Sequence, residues 1–457
     1  MMTTNAGAPH SAKLSFRFGL AGLIVIALLA GCADREAVIA GKREPIDAVL
    51  QSDITRQLVP ETPSGEDLDV PIALPAQQSN AEWTHGIGTP AYRTLHPALS
   101  SNPQLTWSAR IGAGDSRKQR ITADPVVADG RVYTLDAASL VTATSTSGQS
   151  LWTRDLRPEL ERAGEASGGG ISVEGGVVYA ATGYGRLMAM DAATGNVIWT
   201  QDLDATGSGR PTVFGDLVYL VAGDATAWAI NKESGRIAWQ IGGSDSISNV
   251  LGAPAPVVVD DLAVFAFGSG ELQAVFRRGG LRRWDQSVLG ERQGRALSKL
   301  DDVTGAPVAA DGVIYAGNQA GRTVAIEATS GTRIWTVGDG AIDPVLPVAG
   351  SVFMVSDRNE LLRLDAADGT RIWTVRLPNF VKDRPRRRSE VFAHHGPILA
   401  GGRLIIASGD GVMRSYNPQN GDLLSTVEIP SGATTAPVVA GGTLYVVGRN
   451  GQLYAFR

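Results

Sequence analysis

Few side chains in this sequence are spaced for covalent chemistry. Of five histidines only His394 and His395 stand together, and neighbours on an extended segment point to opposite faces, which makes them a poor metal chelate. The single cysteine, Cys32, has no second cysteine to pair with or to share a metal. Asp301-Asp302 is a carboxylate pair, but adjacent loop carboxylates are a weak signal for acid/base work. No Gly-x-Ser-x-Gly elbow, His-Glu-x-x-His helix or phosphate loop occurs in the domain. The expectation is a protein without metal, cofactor or catalysis, whose chemistry is recognition. The densest recognition signal is Lys382-Asp383-Arg384-Pro385-Arg386-Arg387-Arg388, in which five basic groups stand within one loop. Such a loop meets an acidic protein surface or anionic head groups, or is simply solvated. Arg384, Arg386, Arg387 and Arg388 are therefore candidates for a secondary contact. Arg277, Arg278, Arg282 and Arg283 form a second basic hairpin, expected to face solvent.

The elements that must position these groups come from repeats. The phrase Ala189-Met190-Asp191-Ala192-Ala193-Thr194-Gly195-Asn196-Val197-Ile198-Trp199 combines a turn-forming Asp, a Gly for positive φ and an apolar strand ending in Trp. It recurs with Gly235 and Trp239, Gly331 and Trp335, and Gly369 and Trp373, and more poorly at Gly148/Trp152 and Gly280/Trp284. Asn417 and Gly421 keep the turn, but Ser425 stands where Trp is expected. Ahead of each copy lies an apolar triplet, an Asp-Gly or Gly-Gly turn and an alternating strand, as in Pro125 to Tyr133. Eight such hairpins start at Pro125, Ile171, Pro211, Pro256, Pro307, Val345, Pro397 and Pro437. Their spacing of roughly 40–50 residues is the period of propeller blades. The eighth unit stops at Tyr454-Ala455-Phe456-Arg457, one strand short, and Leu105-Thr106-Trp107-Ser108-Ala109 supplies that strand. The predicted fold is all-β: an eight-bladed β-propeller of four-stranded antiparallel blades over 105–457, the last blade closed by the N-terminal strand. The tight first-to-second and third-to-fourth turns share one face. Length variation falls on the other, in Arg157 to Ser167, Asp285 to Val303 and Leu377 to His395, and long loops on a rigid scaffold are where binding usually lives.

Upstream of the repeats the text changes. Lys13 and Arg17 lead into the apolar run Leu20 to Leu29, which has the shape of a secretory signal over 1–31. Leu29-Ala30-Gly31-Cys32 resembles a bacterial lipobox, which implies cleavage before Cys32 and its lipidation. Ala33 follows the cysteine, which implies the periplasmic leaflet of an outer membrane. Residues 32–104 carry no sustained period and read as a tether, either unstructured or with its later part laid over the domain and anchored by Trp83. The net charge of −5 over 457 residues gives no basis for nucleic-acid binding.

The phrase from Ala189 to Trp199 resembles the repeat of the pyrroloquinoline-quinone dehydrogenase propellers. That resemblance implies two readings, a quinone-bearing dehydrogenase or an interaction scaffold. The enzymes characteristically carry a Ca²⁺ site, a catalytic Asp within long insertions and often a vicinal disulfide, and this chain has one cysteine and no large insertion. A lipobox followed by a single eight-bladed propeller resembles the BamB family, lipoproteins of the outer-membrane β-barrel assembly machinery. The resemblance implies binding to the periplasmic repeats of the central barrel insertase through inter-blade loops, and raises contact with unfolded outer-membrane protein clients as a further expectation. The corresponding residues here are Val250 and Leu251, and Lys299, Leu300, Asp301, Asp302 and Val303. Thr304 stands where family members often have a second Asp, and Leu251 where they can have Arg. A periplasmic propeller binding another partner is the remaining alternative.

Overall fold

Turn chemistry written into the repeats builds the blades. In the computed structural model, which describes residues 70–162, 164–206, 209–244, 253–289, 302–382 and 384–457, the strands form eight four-stranded sheets. The second blade is typical: Gly169–Glu174, Val177–Thr182, Arg186–Asp191 and Val197–Asp202 pair antiparallel in order. Its third-to-fourth turn is held by Asp191, whose Oδ1 accepts from the Thr194 N–H at 2.8 Å, and by Gly195 at φ +72°.

Gly and Trp of the repeat meet across blades rather than within one. A Cβ on Gly195 would lie 2.5 Å from the Trp152 ring of the preceding blade, and one on Gly235 would lie 2.7 Å from Trp199. The same contact joins Gly148 to Trp107, Gly280 to Trp239, Gly331 to Trp284, Gly369 to Trp335 and Gly421 to Trp373. Each indole also donates Nε1–H to a carbonyl in that neighbouring turn, as Trp199 does to Lys232 O at 2.9 Å. Within its own blade most of these rings tilt against Tyr or Phe of the second strand, as Tyr179 and Trp199 do at 6.0 Å. The repeat is thus a stitch between blades, and glycine is required because any side chain would displace an indole.

The ring closes with the N-terminal strand. Leu105–Arg110 pairs antiparallel with Gln452–Phe456, Arg110 facing Gln452 and Leu105 facing Phe456. Gln104 and Arg457 exchange backbone bonds of 2.8 and 2.9 Å. One cluster of buried side chains then runs from Ile405 of the seventh blade through Leu444 of the eighth to Val132 of the first. The second basic hairpin faces solvent through Arg278, Arg282 and Arg283, while Arg277 is only 19% exposed and lies 4.8 Å over the Phe214 ring, its stem folded back on an apolar face.

Candidate functional site

The expected partner-binding residues fall in two groups. Val250, Leu251, Lys299, Leu300 and Asp301 lie outside the described residues, as does Cys32. Asp302 and Val303 are described and are inside the protein, 4% and 0% exposed. Val303 opens the inner strand Val303–Ala310 and faces Asn318 in register, while Thr304 donates its hydroxyl to Ala341 O at 3.1 Å. The expectation that Asp302 presents a surface carboxylate is therefore corrected: the connection has already entered the blade there.

The basic loop is a small arm. Phe380 and Val391 bridge at its root, where the Val381 N–H donates to Glu390 O at 3.0 Å, and Pro385–Arg387 forms a 3-10 turn at its tip. Arg384, Arg386, Arg387 and Arg388 are all exposed, and the Arg388 guanidinium sits 5.0 Å over the Phe380 ring. On the same face, between the first two blades, a groove of about 670 Å³ is lined by Glu159, Glu161, Asp202 and Asp204 together with Arg186. The inter-blade face therefore carries an acidic sector and a basic arm.

The tight-turn face carries something the repeats do not encode. Residues 70–104 run once around the mouth of the ring as a strap. Asn80 bonds the eighth blade, its Nδ2 to Val439 O and its carbonyl to the Gly441 N–H at 2.7 Å. Trp83 and Val127 of the first blade exchange two backbone bonds of 2.8 Å, Thr84 O accepts from Val173 of the second at 3.0 Å, and Pro90 O accepts from Val258 of the fourth at 3.2 Å. His85 Nε2 accepts from the Val213 N–H of the third blade at 3.0 Å. Arg93 donates to Pro344 O and Val345 O of the sixth, and Pro97 O accepts from Gly401 of the seventh at 3.0 Å. These partners sit on the innermost strands or in the residues that flank them, and the free edge of those strands faces the axis, so the strap covers most of the opening that a propeller otherwise leaves free.

A charged layer lies beneath the strap. Asp124 Oδ2 pairs with Arg210 at 2.5 Å and its Oδ1 accepts from the Ala436 N–H at 3.0 Å; a Cβ on Gly86 of the strap would come within 3.2 Å of the same carboxylate. Burial pushes the Asp124 pKa up, against the pull of Arg210. His395 Nδ1 stands 3.4 Å from Asp343 Oδ2. Burial alone would keep His395 neutral, but the Asp343 carboxylate outweighs it and raises its pKa. Its neighbour His394 points elsewhere, to Ser408 Oγ at 2.7 Å and Pro378 O at 2.6 Å. Buried charges persist here because each is paired or hydrogen-bonded.

Burial holds His85 neutral, its pKa lowered from 6.5 to about 3. In that window the unfolded chain takes a proton that the folded one refuses, so this stability is present above the unfolded value and lost as pH falls towards the folded one. His85→Gln keeps an acceptor for Val213. It is expected to lose less melting temperature than the parent between about pH 7 and about pH 4; equal losses would show that another group governs the acid transition.

Arg363 is the functional residue that sequence reasoning missed. It is 1% exposed and donates to Val70 O at 2.7 Å and Gln419 O at 3.0 Å, clamping the start of the strap. A signal existed: at this third-strand register the other blades carry Ala143, Ala189, Ala229, Ala274, Ala325, Ser415 and Ala455.

Eight blades of this repeat, stitched Gly to Trp and closed by the first strand, define a PQQ-repeat β-propeller. The family model described as outer membrane protein assembly factor BamB matches residues 137–375 and 382–457. The chain belongs to that family. Among its relatives, the outer membrane protein assembly factor BamB of Yersinia pestis is 24% identical over 363 residues, covering 78% of this chain and 89% of its own. The crystal structure of BamB from Moraxella catarrhalis superposes with a TM-score of 0.64 at 19% identity, covering 78% of this chain and 99% of that one. A europium-containing methanol dehydrogenase shares the fold, with a TM-score of 0.58 at 14% identity over 82% of this chain and 98% of its own.

Proposed function

We propose that this chain is a non-enzymatic scaffold of outer-membrane protein assembly, anchored by lipid at Cys32 on the periplasmic face of the outer membrane. Its partner is the periplasmic repeats of the central barrel insertase. The observation that carries the reading beyond family membership is the division of labour between faces. The axial opening, where a propeller offers a ligand its enclosed site, is mostly covered by the chain's own strap, while the described long connections 157–167 and 377–395 lie on the opposite face. Val250, Leu251, Lys299, Leu300 and Asp301 form the proposed contact, with Asp302 and Val303 fixing its base from inside. The basic arm adds charge that speeds association.

The test is capture of the purified insertase repeats by the full chain. Replacing Arg384, Arg386, Arg387 and Arg388 together with Glu is expected to weaken capture about tenfold at low salt with an unchanged melting temperature, the loss shrinking as salt rises. Asp129→Arg, in a tight turn on the other face, is the control. If both variants bind as the parent does, the inter-blade face is not the docking surface.

A further inference from the structure

The strap leaves one part of the mouth open. Between its Tyr92 and the third to sixth blades lies a groove of about 520 Å³, walled by Tyr92, Phe214, Val258, Ala309 and Val348, lined also by the buried Arg93, and rimmed by Asp260 and Asp311. From the groove's shape and chemistry we propose that it binds an extended peptide segment by strand addition to the inner edge of the fifth blade. The segment would carry an apolar side chain into the groove and a Lys or Arg at the rim.

Backbone donors line the mouth of the ring. On each innermost strand one residue directs its N–H towards the axis: Val127, Val173, Val213, Val258, Ala309, Pro347, Leu399 and Val439 share this register. In the first four blades the strap takes that donor, three times with a carbonyl and once with a histidine ring. In the sixth blade the donor does not exist, because the residue is Pro347. Ala309 of the fifth blade keeps its N–H, borders the groove, and has no partner from the strap among the described residues. An unpaired inner edge beside an apolar cavity is the geometry of strand addition, in which main-chain bonds give affinity and a side-chain pocket gives selectivity.

Side chains then select the occupant. Ala309 stands where the first four blades have valine, and the missing methyl groups widen the space against the fourth blade, with whose Val257 and Val264 it shares a cluster. Tyr92 is 57% exposed, an aromatic wall not consumed by packing. The Asp260 and Asp311 side chains are exposed in their turns, while Arg93 is buried and Arg277, over Phe214, is only 19% exposed, so the exposed rim is acidic and favours a basic flank. A cavity of this size fits one or two apolar side chains rather than a folded surface. This inference does not depend on the insertase reading, since it concerns the opposite face.

The probe is a fluorescein-labelled nonapeptide of alternating Thr and Val with a central Phe and a Lys at each end, titrated against the full chain by anisotropy. Saturable binding is expected, weakened about tenfold or more when the central Phe is N-methylated or when Ala309 is replaced by Pro. Proline is accommodated at this register, as Pro347 shows in the sixth blade. Should Ala309→Pro fold poorly, the N-methylated peptide against the unaltered chain gives the same reading. Glu in place of both Lys is expected to weaken binding, and Asp260→Asn with Asp311→Asn to remove that preference. Undiminished binding of the N-methylated peptide would overturn strand addition. So would an acyl chain from dodecyl maltoside displacing the peptide while the backbone changes have no effect. A dimer in sedimentation that Tyr92→Ala dissolves would make a second copy the occupant and overturn the proposal.

Discussion

Trp83→Ala is expected to destabilise the propeller by about 3–5 kcal/mol, the range for removing a buried tryptophan. Trp83 belongs to the strap, well before the first blade, so on sequence position alone the change should be nearly silent. Yet the side chain is 1% exposed and packs in the cluster that joins the seventh, eighth and first blades with Ile398, Leu444 and Val132. Its backbone forms the bridge to Val127. Truncation leaves a cavity at the junction where the ring is closed by pairing rather than by continuous chain, the place least able to collapse around it. Urea denaturation measures the effect, with Tyr92→Ala, an exposed strap aromatic, as the comparison. A Trp83→Ala midpoint equal to that of Tyr92→Ala would mean that the strap rests on the propeller without supporting it.

The architecture was legible because its signals are local. Turn residues and the spacing of Gly and Trp are written within about a dozen residues, the hairpin phrase eight times over and the Gly and Trp spacing six. A copy with another residue in the turn obeys the same physics. Glu327 replaces the turn Asp and still accepts from the N–H groups of Thr329 and Ser330, bonds that hold its pKa down at about 2. Ser425 looked like decay of the repeat and is a consequence of closure. A repeat Trp packs on the Gly of the next blade's third-to-fourth turn, and the next blade here is the eighth, whose third and fourth strands come from opposite ends of the chain. With no turn there is no Gly, and a tryptophan at 425 would have no seat.

That the later part of the tether could lie over the domain with Trp83 as its anchor was legible, but its path around the mouth was not, because its partners are far away in sequence and most of its bonds are backbone bonds. Residues 70–104 alternate with nothing, and their order comes from inner-strand edges up to several hundred residues downstream, which no period reports. The burial of Asp302 was hidden for a related reason. A connecting loop and the first residues of an inner strand look alike in sequence, and Asp302-Val303 falls at that border. Arg363 was hidden only by attention to the turn and Trp positions, since an Arg at a register otherwise held by Ala or Ser announces a long-range bond.

Replacing Leu105 to Ala109 with a Gly/Ser stretch of equal length is expected to cost on the order of 5 kcal/mol and to promote aggregation. The length is kept so that the strap stays attached and the loss reports closure alone. Three contributions add. Trp107 loses its contact with Gly148 and its indole bond to Thr146 O at 3.1 Å, together with its packing at 6.0 Å on Tyr445. The ladder from Arg110–Gln452 to Leu105–Phe456 loses its side-chain pairs and regular register. The eighth blade is then left with an exposed edge at Gln452–Phe456, four of whose five residues are buried while the closing strand is in place. Such an edge is a template for another chain, so size-exclusion chromatography should show oligomers that the parent lacks. Trp107→Ala isolates the first contribution and is expected to cost roughly half as much. A replacement that melts cooperatively at the parent's midpoint, and stays monomeric, would mean that the other seven blades hold the ring without its seam.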